Sequence, residues 1–270
     1  MPTRASYTDY PAAPHDALRF GRICDTFLRA PQSARASDGG IGTLGEKSLH
    51  AIIKTYLCED TSFHEYTLPN SSRMVADVFK DDHIFEVQTG SLYPLRKKVG
   101  WYLSNTDYPV TVIYPIAAIR YLCWIDPTDG SISPRRRSSQ KGSLMNLARE
   151  LFWLSEYVGH PRFSIRVLFL EMEEYRMKDG WGNGGKRGSH RQERVPLSLL
   201  GDVTLSSPDD YATFLFPKDE LPTPFTAAHF SKAIGIRGRA TYGLLHLLER
   251  LGYVKTGEKI GRGQGWNIVD

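Results

Sequence analysis

The stretch from Arg73 to Lys98, RMVADVFKDDHIFEVQTGSLYPLRKK, limits the architecture more than any other part of the chain. It holds two short strand-forming runs, Met74–Phe79 and His83–Gln88, joined by a tight polar turn at Asp81 and Asp82. A two-residue turn fixes the register of a hairpin. In that register Lys80 faces His83, Phe79 faces Ile84, and Asp77 faces Glu86. Directly opposed residues hold their Cβ atoms about 5 Å apart. Gln88 follows Glu86 by two positions and so points to the same face. Two carboxylates and an amide are expected to converge at the end of the hairpin.

Facing carboxylates repel, and without a cation one of them titrates upward. On an arbitrary hairpin an acidic pair turned to solvent is the plainer reading. Here Val75, Phe79, Ile84 and Phe85 are apolar, so part of the hairpin is expected to be buried, and buried carboxylates need a partner. A hard divalent ion, Mg²⁺ or Mn²⁺, answers that need through oxygen ligands.

Asp77, the run Glu86-Val87-Gln88 and an upstream helical Glu46 together resemble the PD-(D/E)XK nuclease superfamily. The resemblance covers about residues 40–125. It implies a restriction-endonuclease-like fold: a helix, a three-stranded antiparallel meander, a helix and a further strand. It also implies an Asp on the second strand and Glu-x-Lys on the third. Gln88 stands at the Lys position, as it does in some restriction-type members. The roles that follow are expectations of the resemblance. Asp77, Glu86 and the Val87 carbonyl hold Mg²⁺ or Mn²⁺, and Glu46 completes the shell. Gln88 orients the attacking water, and Lys98 supplies the missing cation. For Glu46 a second role is open, because Thr43 can cap the helix Leu44–Leu57 and Glu46 is its capping-box partner.

The remaining sequence frames this core. A chain of 270 residues holds one large domain or two ordinary ones. A formal net charge of +4 permits a polyanionic partner without requiring one. Cys24, Cys58 and Cys123 have no metal-ligand spacing and read as reduced thiols of a cytoplasmic protein. No apolar run approaches a membrane span, and the first residues do not read as a secretory signal.

Periodicity predicts helices at Asp16–Leu28, at Leu44–Leu57, from Ser91 to about Leu103, and at Leu144–Tyr157. Strands are expected at Phe63–Leu68, Val110–Tyr114, Tyr121–Ile125 and Phe163–Leu170, giving a mixed α/β sheet flanked by helices. Arg135, Arg136 and Arg137 form a basic loop. Lys186, Arg187 and Arg191 belong to a glycine-dense basic segment, read either as a phosphate-contacting flap or as a plain hairpin tip. His64 and His83 lie near the expected site as ordinary polar residues, and His190 lies in the basic segment.

A composition shift near Gly201 divides the chain into a nuclease-like domain, 1–200, and a small domain, 201–270. The second domain, with helices at Phe225–Ile234 and Arg239–Leu251 and then two short strands, resembles a winged helix. Arg237, Arg239, Lys259 and Arg262 sit where such a module would meet DNA. Two functional classes follow. One is a metal-dependent DNA endonuclease, paired as a homodimer where both strands are cut. The other is an inactive nuclease-like DNA-binding or regulatory protein.

Overall fold

A computed structural model of the chain describes residues 5–29, 45–69, 73–178, 180 and 189–269; for residues 45–47 only the backbone is described. Two helices open it, α1 (Pro14–Arg29) and α2 (Gly45–Leu57). The meander follows as β1 (His64–Thr67), β2 (Val75–Lys80) and β3 (His83–Val87). Helix α3 (Leu95–Asn105) then leads to β4 (Val110–Ile125). The hairpin pairs in the expected register, Val78 with Phe85, Phe79 with Ile84 and Lys80 with His83. Asp81 and Asp82 carry φ of 51° and 54°. This doubly left-handed turn suits a two-residue hairpin, and Asp tolerates it better than most residues.

The sheet is mixed, with order β1-β2-β3-β4-β6-β7 and with β5 (Arg136–Arg137) attached to β4. β4 runs parallel to β3 and to β6 (Phe163–Met177), while β7 (His190–Leu205) returns antiparallel to β6. Helices pack on the sheet, so the expectation of a mixed α/β sheet flanked by helices is met.

Four local expectations change. Val110–Tyr114 and Tyr121–Ile125 are one strand, not two. Pro115 lies inside it, where β3 has already ended opposite Ile113, so its missing N–H removes no ladder bond. The charged run after Leu170 stays in β6 because its carboxylates find partners. Glu174 is 2 % exposed and meets Arg120 and Arg176. Arg136 and Arg137 are a short strand against Tyr121 and Leu122 rather than a loop. The helix after the meander begins at Leu95, because Ser91 turns its hydroxyl to Glu150 at 2.7 Å.

Between β5 and β6 lie α4 (Leu144–Glu150) and a 3₁₀ segment, Leu151–Tyr157. β7 carries the sheet past Gly201 to Leu205. After it come α5 (Pro208–Leu215), α6 (Ala227–Ile234) and α7 (Arg239–Arg250). A small sheet of order β8-β10-β9 completes the chain: β8 (Phe225–Thr226), β9 (Val254–Thr256) and β10 (Gly265–Ile268). These C-terminal elements share one core with the main sheet, in which Phe230, Leu244 and Trp266 join Ile84, Val99 and Leu147. The opposite face of the sheet is covered by α1 and α2 through Phe20, Leu49, Ile52 and Ile53. Among the described residues no helix is long and apolar enough to cross a membrane.

Candidate metal centre

Asp77 lies on β2, with one carboxylate oxygen, Oδ2, drawn to the neighbouring strand. It accepts the Val87 N–H at 2.7 Å and lies 3.1 Å from His50 Nε2. The same His50 nitrogen is 3.1 Å from the Val87 carbonyl. Both neighbours are acceptors, so Nε2 carries the hydrogen. Burial would raise the Asp77 carboxyl, but His50, the Val87 N–H and Lys98 outweigh it and hold the group below its ordinary value. Asp77 and the Val87 carbonyl therefore converge on one point, and a side chain from α2 stands at that point.

Glu86 has the opposite environment. It is 1 % exposed and contacts α3, where Lys98 Nζ donates to Oε2 at 2.7 Å and the Tyr102 hydroxyl donates to Oε1 at 2.8 Å. Burial and the charge of Asp77 push its pKa up to about 7, against the pull of Lys98 and Tyr102. Tyr102 is driven upward by burial and by Glu86, and stays a neutral donor.

Two expected roles need correction. Lys98 is held by Glu86 in an ion pair rather than turned toward a phosphate. Gln88 does not converge with Glu86: β3 ends at Val87, and the Gln88 side-chain amide donates to the Ser91 carbonyl at 2.6 Å. It lines an open cavity of about 460 Å³ with His50, Thr89, Gly90 and Pro94. The backbone of Glu46 belongs to α2, and its side chain lies outside the described residues.

The metal-capable group among the described residues is His50, Glu65 and Asp77, whose ligand atoms all lie within 4.8 Å of one another. Glu65, on β1, also pairs with Lys54 at 2.5 Å. One imidazole and two carboxylates suit a divalent transition ion such as Mn²⁺ and, through their oxygens, Mg²⁺. The donor set fits a divalent cation, though the expected Glu86 is not in it. Sequence reasoning missed His50, Glu65 and Tyr102. The available signal for His50 was its position four residues after Glu46, on the same face of an amphipathic helix.

The predicted DNA contacts divide into three groups. Arg135 stacks over Tyr121 at 4.8 Å and lies 3.4 Å from Glu173, while Arg136 and Arg137 are exposed on β5. Lys186 and Arg187 lie outside the described residues, and Arg191 is exposed near the start of β7. Arg237, Arg239, Lys259 and Arg262 are exposed on the C-terminal elements.

Residues 47–206, more than half of the chain, match a family described as a domain of unknown function, DUF8091. The chain belongs to that family. The matched span takes in the whole main sheet and ends beside the last residue of β7. A relative from Treponema pallidum (strain Nichols), described as an uncharacterized protein, is 29% identical over 167 residues. The match covers 62% of this chain and 62% of the relative, so the DUF8091 chain spans less than two thirds of that protein's length. No solved structure matches the chain.

Proposed function

We propose that this DUF8091 chain is a metal-dependent DNA endonuclease with a nuclease-like core and a winged-helix module. One observation carries the reading: Asp77 Oδ2 and the Val87 carbonyl meet at His50 Nε2, at 3.1 Å each, with buried Glu86 one residue away on the same strand. The order of α2, the β1–β3 meander, α3 and parallel β4 supports a PD-(D/E)XK relationship. Asp77, Glu65 and the Val87 carbonyl would hold Mg²⁺ or Mn²⁺, with His50 joining them in the tautomer that carries its hydrogen on Nδ1; the ion would lower the pKa of a bound water and stabilise the leaving oxygen of a phosphodiester.

The chain's own groups do the remaining work. His50 fixes the Asp77 carboxylate, and the Val87 N–H keeps it ionised. Lys98 and Tyr102 hold Glu86 in place beside Asp77. Gln88, at the rim of the cavity with its amide nitrogen on the Ser91 carbonyl, would have only its amide oxygen left to meet a water.

In the C-terminal module, the order of α6, α7 and the β9–β10 hairpin supports the winged-helix reading. One side of α7 is covered by the 3₁₀ segment: Gly243 lies so close to Phe152 that a Cβ would come within 2.4 Å of its ring, and Arg250 donates to the carbonyls of Ser155 and Val158. DNA contact then runs through the first two turns, where Arg239, Tyr242 and His246 are exposed, and through the hairpin tip at Lys259 and Arg262.

The test is cleavage of plasmid, single-stranded and branched DNA with Mg²⁺ or Mn²⁺, wild type against Asp77→Ala and Glu86→Ala. The reading expects metal-dependent cuts that both variants lose. Light scattering of the DNA complex tests the paired homodimer. A second reading, an inactive DNA-binding protein on the same core, is favoured by the Lys98–Glu86 pair and the tied Gln88 amide. DNA binding without cleavage on any substrate would establish it.

A further inference from the structure

Three cavities adjoin one another along the edge of β4. The candidate metal-site cavity and the second share Thr89, and the second and third share Gln140, Lys141 and Gly142. The second and third have volumes of about 190 and 200 Å³. Gly142 makes the junction. Its N–H donates to the Ala117 carbonyl at 3.1 Å, and a Cβ there would come within 2.5 Å of that oxygen. The middle cavity is lined by Arg120, Lys141, Arg191 and Arg194 against a single carboxylate, Glu174, and the far cavity adds Arg137. The terminal nitrogens of Arg120 donate to Glu174, Ser138 and Gln140, while its Nε is shielded from water and has no acceptor among the described residues. Buried donors of this kind are rarely left unmatched. Tyr114 and Tyr7, both half-buried, line the middle and far cavities.

Cations along a groove with interspersed aromatic rings are the combination that binds unpaired nucleic acid, since phosphates follow the charge and bases stack on the rings. A duplex turns its bases inward and leaves the rings unused. We propose that this groove takes a single-stranded polynucleotide, its phosphates along Arg137, Lys141, Arg120, Arg191 and Arg194 and its bases against Tyr7 and Tyr114, leading into the metal-site cavity. The inference deepens the nuclease reading by naming the strand that reaches the site, and it rests on that reading only for the direction of travel.

The experiment is fluorescence anisotropy of the full chain in EDTA with labelled oligo-dT, oligo-U and a duplex, each about 16 nucleotides long, across a salt series. At least one single strand should bind, the duplex should respond less than that strand to changes in the groove, and the two sugars show whether DNA or RNA is preferred. Arg137→Ala/Lys141→Ala/Arg191→Ala should weaken single-strand binding at least about tenfold and flatten the log–log salt slope by about 0.7 for each lost phosphate contact. If that variant melts early by circular dichroism, Arg137→Lys/Lys141→Arg/Arg191→Lys replaces it and should keep the wild-type slope, while the single Lys141→Glu should lower it. Unchanged single-strand affinity, or an unchanged slope, in a folded alanine variant overturns the groove. EDTA separates the two readings. Binding without metal-dependent cleavage overturns only the nuclease reading, whereas metal-dependent hydrolysis of a small phosphodiester without strand binding overturns only the groove.

Discussion

The two carboxylates that the hairpin brings together have opposite surroundings. On the α3 side Glu86 is sealed, neutralised by Lys98 and capped by Tyr102. On the α2 side Asp77 contacts His50 beside an open cavity, with a Glu65 oxygen within 4.8 Å of both. The difference shows that adjacency on a hairpin does not make two acids equivalent. The helix packed over each one decides whether it lies beside an open cavity or in a buried pair. The α2 side is the one we propose for a cation.

The largest effect expected from this contrast is on cleavage. Asp77→Asn keeps the shape and removes the charge, and should lower metal-dependent cleavage by roughly 10²–10³-fold, the scale of losing one preorganised electrostatic contact. Plasmid nicking rates at saturating Mn²⁺ measure it. An equal loss in Lys98→Met with Asp77 intact would move the working centre to the α3 side.

Next in size is the pH dependence of stability. Glu86 binds its proton more tightly folded than unfolded, so its contribution is full below about pH 4.5 and is lost as pH rises through about 7. Asp77 is held below its ordinary value of 3.8, so its contribution is present above that pH and is lost as pH falls through its lowered folded value. The Glu86 shift corresponds to on the order of 3 kcal/mol between pH 4.5 and 7. Glu86→Gln should abolish that decline, seen as urea midpoints that no longer fall from pH 5 to pH 8. Parallel profiles for variant and wild type would mean that Glu86 is already balanced by Lys98 and Tyr102.

Much of this region could be read from the residues. Alternation on either side of Asp81–Asp82 gave the hairpin and its register, because a two-residue turn leaves no freedom to slip. The stripe Leu49, Ile52, Ile53 and Tyr56 gave α2, and the helix expected at Phe225–Ile234 is α6, capped by Thr226. Pro115 misled because its harmlessness depends on where β3 stops, which only the assembled sheet reveals. The Glu171–Met177 stretch misled because its partners, Arg120 and Ser198, are distant in sequence. His50 went unseen for a similar reason: a lone helical histidine gains meaning only when Asp77 and Val87 arrive from another element. Gln88 was placed by extending strand alternation one residue beyond the end of β3.

His50→Ala should have the next smaller effect, a 10- to 100-fold weaker Mn²⁺ affinity by calorimetry, the range for groups that orient a metal site. Because His50 helps to hold Asp77 ionised, the variant should also raise the Asp77 titration, followed by carboxyl NMR. Unchanged Mn²⁺ affinity would make His50 a structural partner of Asp77, and the two sides would then differ only in exposure.

The smallest effect falls on Glu65. It is a non-glycine residue with φ of 48°, a left-handed conformation that costs about 1 kcal/mol and usually signals a constraint. In its ion pair with Lys54 the Glu65 carboxylate is mostly exposed while the Lys54 side chain is mostly buried, so water screens the pair from the Glu65 side only. Glu65→Asn suits the left-handed backbone and removes the carboxylate. Relief of the backbone and loss of the carboxylate beside Lys54 oppose each other, so thermal stability should move by no more than about 1 kcal/mol, while Mn²⁺ affinity falls a few-fold. If affinity does not change, the cation site contracts to Asp77, His50 and the Val87 carbonyl. The strained backbone at Glu65 then serves the turn into β1 rather than the metal.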